Sequence, residues 1–582
     1  MIYLFSIFLL SYPFLIFADK VTSKPMILDS LPQQVGNSDF NLVKENFSME
    51  EELLQFEHTS NQEGLEKKQV CIKAIVLVSH RDQVHRSARL LKPDIEGVQI
   101  KLNSSECLDD LVNSLSIYLR QPLDKEILCE IEQTIFSYYY GIHYPFVLIE
   151  FPKQDVTNGI LHVVVCESTL GEICVESNAG YAVNKIMDYI RLCPGERINE
   201  SILFNDVAWL NRNPFRQIDI VYQPGHEEGT TNILLQANAR RRFRLYGGVD
   251  NTGVKTIQRE RFFTGFNLTN YQQMLTYQYT SSFNTRRFQA HTLQYTLPCA
   301  WRNVLNVYGG YAKVRPNLSL PVTRNDGWSM QASLRYVIPF KTYSHLTHEM
   351  SLGGDFKRTN NTVEFSDNSP VIASNVNLTQ VTLEYKGAYS SNCNRIDYQI
   401  QGFCSPGKWL ADQTDALYSQ LRPNAKNHWI YGRLNCTASQ KLPKNFYISV
   451  GFSGQLSNQN LLPSEQFYIG GFDTVRGYDE RELNTDTGLF VRTELYAPAF
   501  RFFARCYDKL ELLAFFDYGY ANNHTPIPPE GKSSHLMSVG PGLRYAFSTY
   551  LAVRLDYGIQ LYHKNFFGSN HQRVHFGVIA SY

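Results

Sequence analysis

LAVRLDYGIQLY (551–562) and RVHFGVIASY (573–582) decide how the rest of the chain is read. In the first stretch Leu551, Val553, Leu555, Tyr557, Ile559 and Leu561 alternate with Ala552, Arg554, Asp556, Gly558, Gln560 and Tyr562. In the second, Val574, Phe576, Val578, Ala580 and Tyr582 alternate with Arg573, His575, Gly577, Ile579 and Ser581. Successive side chains of a strand point to opposite faces, so each stretch presents an apolar wall and a mostly polar one. An apolar outside and a polar inside are the pattern of a transmembrane β-barrel. Hydrocarbon offers the backbone no hydrogen bonds, so such strands must close into a ring without an edge. A soluble sandwich also alternates, but a run of this length exceeds an ordinary one.

Working back from Tyr582, alternating strands with polar, Gly- and Asn-rich turns continue to about residue 239, giving about 16 antiparallel strands, an even number as bacterial barrels require. Composition agrees: 36 Tyr and 36 Phe suit strands and membrane interfaces. Lys plus Arg equals Asp plus Glu at 55 each, which argues against a nucleic-acid partner.

Upstream of the barrel the period changes. CIKAIVLVS (71–79), PFVLIEFP (145–152) and GILHVVVCE (159–167) predict strands, and CLDDLVNSLSIYL (107–119) and KEILCEIEQTIFSYYYG (125–141) predict helices. The order then repeats. GEICVES (171–177), IDIVYQP (218–224) and TNILLQA (231–237) predict strands; VNKIMDYIRL (183–192) and INESILFNDVAWLNRN (198–213) predict helices. The expected architecture is two α/β modules, 69–168 and 169–238, followed by the barrel at 239–582. Residues 80–104 fit neither pattern and are read as an insertion. Residues 1–18 end an apolar run at Ala18 and read as a signal peptide, with an N-terminal anchor helix as the alternative. Residues 19–68 are polar and acidic and read as a flexible leader, with a short helix expected at SMEEELLQF (48–56).

The 11 cysteines form no CxxC pair, and an odd number leaves at least one outside any intrachain pairing. His345, His348 and Glu349 fall in a barrel strand or turn and are not expected to hold a metal. No GxSxG, P-loop or GxGxxG is present, so neither an enzyme nor a cofactor is expected.

One stretch breaks the strand pattern. GGFDTVRGYDERELN (470–484) is a long loop containing Val475, Arg476, Gly477 and Tyr478. Two strands later, LELLAFFDYGY (510–520) puts Leu513, Phe515, Asp517 and Gly519 on the face opposite Leu510, Leu512, Ala514, Phe516 and Tyr518. Asp517 therefore points into the lumen, where a carboxylate wants a partner. An inward-folding Arg476 can supply one through two parallel hydrogen bonds. Arg492, Glu494, Arg544, Arg554 and Asp556 also point inward by parity and read as a luminal charge network without individual roles.

With these residues the chain resembles the transporters of two-partner secretion, which export hemolysins and filamentous hemagglutinins. That family belongs to a larger superfamily that includes the outer-membrane barrel-assembly factors. Val475–Tyr478 matches the superfamily's valine-arginine-glycine-tyrosine loop motif. Phe516–Asp517–Tyr518–Gly519 matches its strand motif, an aromatic followed by Asp, any residue and Gly. FPKQDVTNGILHVVV (151–165) and WLNRNPFRQIDIVYQPG (209–225) resemble parts of polypeptide-transport-associated (POTRA) domains, and GGVDNTG (247–253) resembles the start of the family's barrel.

The resemblance implies an outer-membrane pore with periplasmic POTRA-like domains, a hemolysin-activation type of protein transport. Its partners would be an unfolded secreted protein, outer-membrane lipid and the barrel-assembly machinery. It further implies a loop latch at Val475–Tyr478, a luminal partner at Asp517 and Gly519, and a barrel-terminal signature at Phe576 and Tyr582. Two other readings remain open here: a barrel-assembly factor, and a passive porin or adhesin.

Overall fold

A computed structural model describes residues 70–582 except 85–95, 103–107, 178–182, 228, 240–241, 271, 317–321, 344, 366–371, 504–506, 527–530 and 563–570. The signal peptide, the leader and the helix expected at 48–56 lie outside the described residues. The chain divides into an N-terminal α/β unit and a barrel unit that begins at Arg241.

The α/β unit holds two sheets. In the first, β1 (Ala74–Val78) is central, parallel to β2 (Gly97–Lys101) on one side and to β4 (Ile160–Glu167) on the other; β3 (Val147–Glu150) pairs antiparallel with β4. All five residues of β1 are buried. That explains its unbroken AIVLV run, since a strand covered on both faces has no polar side to alternate with. One face packs Ile75, Leu77, Leu161 and Val163 against α1 (Asp109–Ser116) and α2 (Lys125–Gly141), through Leu111, Leu115, Ile131, Ile135 and Tyr139. Asp124 caps α2 by accepting from the Ile127 N–H at 2.8 Å.

Part of the segment read as an insertion is structural: β2 adds a parallel edge strand beside β1. Its GVQIK sequence is too short for a period to show.

The second sheet runs β5 (Thr169–Ser177), β7 (Thr230–Ala239), β6 (Arg216–Pro224), with β5 parallel and β6 antiparallel to β7. Helices α3 (Val183–Met187) and α4 (Glu200–Leu210) cover it through Ile186, Leu203 and Leu210. The helix expected at 183–192 stops at Met187. Buried Asp206 takes the Arg191 N–H at 2.8 Å and its guanidinium Nε at 2.9 Å, a fixed acceptor that competes with continued helix.

The barrel closes with sixteen strands, each antiparallel to its neighbours. In order they are β8 (Phe243–Asp250), β9 (Arg261–Asn270), β10 (Gln273–Ser282), β11 (Phe288–Pro298), β12 (Val304–Val314), β13 (Val322–Pro339), β14 (Leu346–Phe365) and β15 (Ile372–Ser390). Then follow β16 (Asn394–Ser405), β17 (Trp429–Lys441), β18 (Tyr447–Ser457), β21 (Thr487–Tyr496), β22 (Asp508–Asn522), β23 (Ser533–Phe547), β24 (Leu551–Gln560) and β25 (Gln572–Ser581). The short pair β19 (Phe467–Ile469) and β20 (Leu483–Thr485) stands apart from the ring.

Closure joins β25 to β8, with Gly577 opposite Asp250 and Ser581 opposite Tyr246. Tyr582 and Leu245 exchange backbone hydrogen bonds at 2.8 and 3.1 Å. Asn251 accepts from the Phe576 N–H at 3.0 Å. Phe576, Tyr582 and the GGVDNTG segment therefore all meet at this seam.

No helix among the described residues is long and apolar enough to cross a membrane. The strands do so instead. Leu512, Leu555 and Val574 are exposed on the outer wall, while Asp517, Arg554, Asp556 and His575 are buried inside. β8 begins directly after the N-terminal unit in the chain, so the end of the barrel where β8 starts is the end expected to face the periplasm. The connections there are short, such as 391–393, 442–446 and 548–550, whereas 406–428 and 458–486 at the other end are long. Short periplasmic turns and long outer loops are the rule for such barrels. The outer connection 406–428 also carries a helix, α5 (Asp415–Leu421), where the sequence reading had only strands and turns.

Candidate functional site: a loop held inside the lumen

Residues 458–486 leave β18, pair β19 with β20, and return to β21. Between the two short strands the chain turns at Gly470, Gly471 and Gly477, with φ of +108°, +114° and +88°. These left-handed angles favour glycine. The turn closes when the Gly471 N–H donates to the Val475 carbonyl at 3.0 Å and the Gly470 N–H to the Thr474 hydroxyl at 2.8 Å. Val475, Arg476 and Tyr478 are buried as a result.

Arg476 is 0% exposed and so is Asp517. The guanidinium makes the two-pronged bond expected of it: Nε to Asp517 Oδ2 and Nη2 to Oδ1, both at 2.7 Å. The Arg476 backbone N–H adds a third contact to the same carboxylate at 3.1 Å. Nη1 donates to Glu494 Oε1 at 2.7 Å and lies 3.5 Å from Asp556. The flat guanidinium sits 3.5 Å from the centre of the Phe515 ring, two residues before Asp517 on the same inward face. A buried charge is tolerated only when paired and hydrogen-bonded this fully.

The luminal charges are part of the same assembly. Arg492 donates to Glu494 at 3.0 Å and to the Asp473 carbonyl at 3.1 Å. Arg544 and Arg554 both bond Asp556, each at 2.8 Å. Arg554 also reaches the loop, donating to the Phe472 carbonyl at 2.7 Å and to Asp473 at 3.1 Å, with its guanidinium 3.6 Å from the Phe472 ring centre. The five residues read as a background network thus contact the loop directly or through one carboxylate. Parity put them inside but could not say what they would meet.

The other motif positions, Val475, Gly477, Tyr478 and Gly519, fix the loop by shape and by backbone. A Cβ on Gly519 would lie 2.5 Å from Ile469 Cγ2 and 2.9 Å from Val475 Cγ2, so the glycine makes the hollow that Val475 fills. The Tyr478 hydroxyl donates to the Tyr562 carbonyl at 2.6 Å and accepts from the Met537 N–H at 3.2 Å. The Gly477 N–H donates to His575 Nε2 at 3.0 Å, and Gln560 donates to the Gly477 carbonyl at 2.7 Å. Gly558, His575, Phe515 and Phe472 were not singled out from the sequence. Inward parity marks Gly558, His575 and Phe515 without giving them a partner, and Phe472 lies in the loop, where parity does not apply.

The loop runs inside the lumen along half of the ring, from β14 to β25. Its descending limb meets β14 and β15, where Lys357 and Gln380 bond Glu465 at 2.7 and 3.3 Å. Its tip meets β24 and β25 at Gly558 and His575. In a ring of sixteen those pairs of strands stand half a turn apart.

His345 and His348 have ordinary partners, the Ser390 carbonyl at 3.1 Å and the Tyr385 hydroxyl at 3.0 Å, and Glu349 pairs with Lys386.

A family model described as "Haemolysin secretion/activation protein ShlB/FhaC/HecB" matches residues 229–545. A heme/hemopexin transporter protein HuxB of Haemophilus influenzae (strain 86-028NP) is 24% identical over 507 residues, covering 80% of this chain and 83% of that protein. An outer membrane transporter CdiB of Dickeya dadantii is 23% identical over 385 residues, 64% of this chain and 66% of that protein. Among solved structures, CdiB from Escherichia coli superposes with a TM-score of 0.70 at 15% identity, covering 93% of this chain and 97% of that one, which shows the shared fold. The family match extends over more than half of the chain and takes in the 470–484 loop and Asp517. The chain belongs to the haemolysin secretion/activation ShlB/FhaC/HecB family, the outer-membrane transporters of two-partner secretion.

Proposed function

We propose that the chain takes up its partner protein unfolded in the periplasm through the modules at 69–168 and 169–238. The barrel then passes the partner outward when the 458–486 loop is released from Asp517. The observation that carries this reading is the fully buried Arg476–Asp517 pair on a loop inside the lumen. A loop held inside the lumen against half of the wall, from β14 to β25, narrows the way for any chain that must pass, so transport requires it to shift. No nucleotide-binding motif supplies energy, so direction comes from folding of the partner outside. Lipid meets the apolar outer wall, and insertion relies on the barrel-assembly machinery.

Capture is read from the sheet edges. Strands β2, β3, β5 and β6 lie at the edges of their sheets. An extended segment adding to such an edge gains backbone hydrogen bonds without demanding a particular sequence. Leu148 on β3 is 51% exposed, an apolar side chain beside such an edge.

The test is a photo-crosslinker at position 148 in the full-length protein, with the partner held in mid-export. Crosslinks to the partner support capture at this edge. Crosslinks only from lumen positions would move capture into the barrel.

A further inference from the structure

Glu465 is 1% exposed and sits at the start of the loop's passage through the lumen. Its carboxylate is as fully engaged as that of Asp517. Oε1 accepts from Lys357 Nζ at 2.7 Å and from Ser464 Oγ at 2.9 Å; Oε2 accepts from the Tyr431 hydroxyl at 2.7 Å and from Gln380 Nε2 at 3.3 Å. Its backbone carbonyl accepts from Arg433 Nη2 at 3.1 Å and from Gln455 Nε2 at 3.2 Å. Lys357, Gln380 and Tyr431 lie on β14, β15 and β17. The network continues along the wall, because Gln380 also donates to Asp355 at 2.9 Å and Asp355 pairs with Arg335 at 2.7 Å.

The geometry points to Glu465 as a second latch for the same loop, on the β14–β18 side of the ring and separate from the Arg476 latch on β21–β25. This rests on the reading of 458–486 as the lumen plug of the transport pore. The two clusters share no residue. One fixes the tip against β21–β25; the other fixes the descending limb against β14, β15 and β17. A buried Arg422–Asp486 pair also holds the loop, but Asp486 adjoins β21, so that pair fixes the root rather than the passage through the lumen. Release of the tip alone leaves the limb clamped against β14, β15 and β17. The lumen clears fully only when Glu465 also lets go.

The experiment uses full-length protein in planar lipid bilayers, with heat-modifiable gel migration confirming that each variant forms the barrel. Glu465→Gln keeps the shape and removes the charge that Lys357 answers. Lys357→Met removes the partner and gives an independent second variant. Each should raise mean conductance several-fold, and the double variant should do no more than either single one, because both remove one interaction. Glu465→Gln combined with Arg476→Ala should exceed Arg476→Ala alone. Wild-type conductance in both Glu465→Gln and Lys357→Met overturns the second latch. So does an Arg476→Ala background that neither variant changes. If Arg476→Ala itself leaves conductance and secretion at wild-type levels, the plug reading falls instead.

Discussion

Gly477 of the loop tip crosses Gly558 of β24 with no side chain between them. A Cβ on Gly558 would lie 2.3 Å from the Gly477 nitrogen and 2.5 Å from its Cα. Both atoms are backbone and cannot swing aside, so even a methyl group lifts the tip off the wall. Gly558→Ala should therefore form a normal barrel and conduct more than wild type in planar bilayers. Wild-type conductance in Gly558→Ala would mean that the tip is not held against this wall.

Arg476, Asp517 and Glu494 form one electrostatic unit, and removal of one member strands the others. Breaking a deeply buried ion pair costs about 3–5 kcal/mol, less where water fills the lumen. The barrel has a closed ring of backbone hydrogen bonds and should survive that loss, whereas the loop tip should not keep its place. Arg476→Ala and Asp517→Ala should each increase protease cleavage within 470–484 while gel migration of the barrel stays normal. The double variant should be little worse than either. Additive cleavage rates would show that the two residues act separately.

The Arg476 guanidinium sits over the Phe515 ring, 3.5 Å from its centre. Phe515→Leu keeps an apolar group of similar reach and removes the ring. A desolvated cation–ring contact is worth about 2 kcal/mol, so the defect in loop protection should be measurable and smaller than that of Arg476→Ala. A defect equal to that of Arg476→Ala would assign the ring more than a supporting role.

In the periplasmic unit, Asp206 is 0% exposed and holds Arg191 by both backbone and side chain. Asp206→Ala removes the acceptor of the Arg191 N–H and of its half-exposed guanidinium, at about 1 kcal/mol. Limited proteolysis should begin between 188 and 200 in the variant and not in wild type. Unchanged proteolysis would show that the turn after α3 is held by its apolar contacts alone.

The barrel and the inward direction of Asp517 could be read from sequence because period two is local. In 551–562 every residue's wall follows from its neighbours, and the same parity placed Arg492, Glu494, Arg544 and Arg554 inside. What those residues touch is set by the path of the loop, and nothing local encodes it. Glu465 meets Lys357 from 108 positions away in sequence, and Gly477 meets Gly558 across the same lumen. β2 and α5 were missed for a different reason. Five residues of strand and seven of helix are too short for a period to declare itself, and tertiary pairing decides their state.

In the proposed function the Arg476–Asp517 latch controls passage of the partner protein. The most direct measurement is the amount of partner reaching the medium from cells carrying Arg476→Ala, with outer-membrane level and heat-modifiable migration matched to wild type. Near-normal insertion and a sharp fall in secreted partner are expected. Normal secretion from a correctly inserted Arg476→Ala barrel would contradict it.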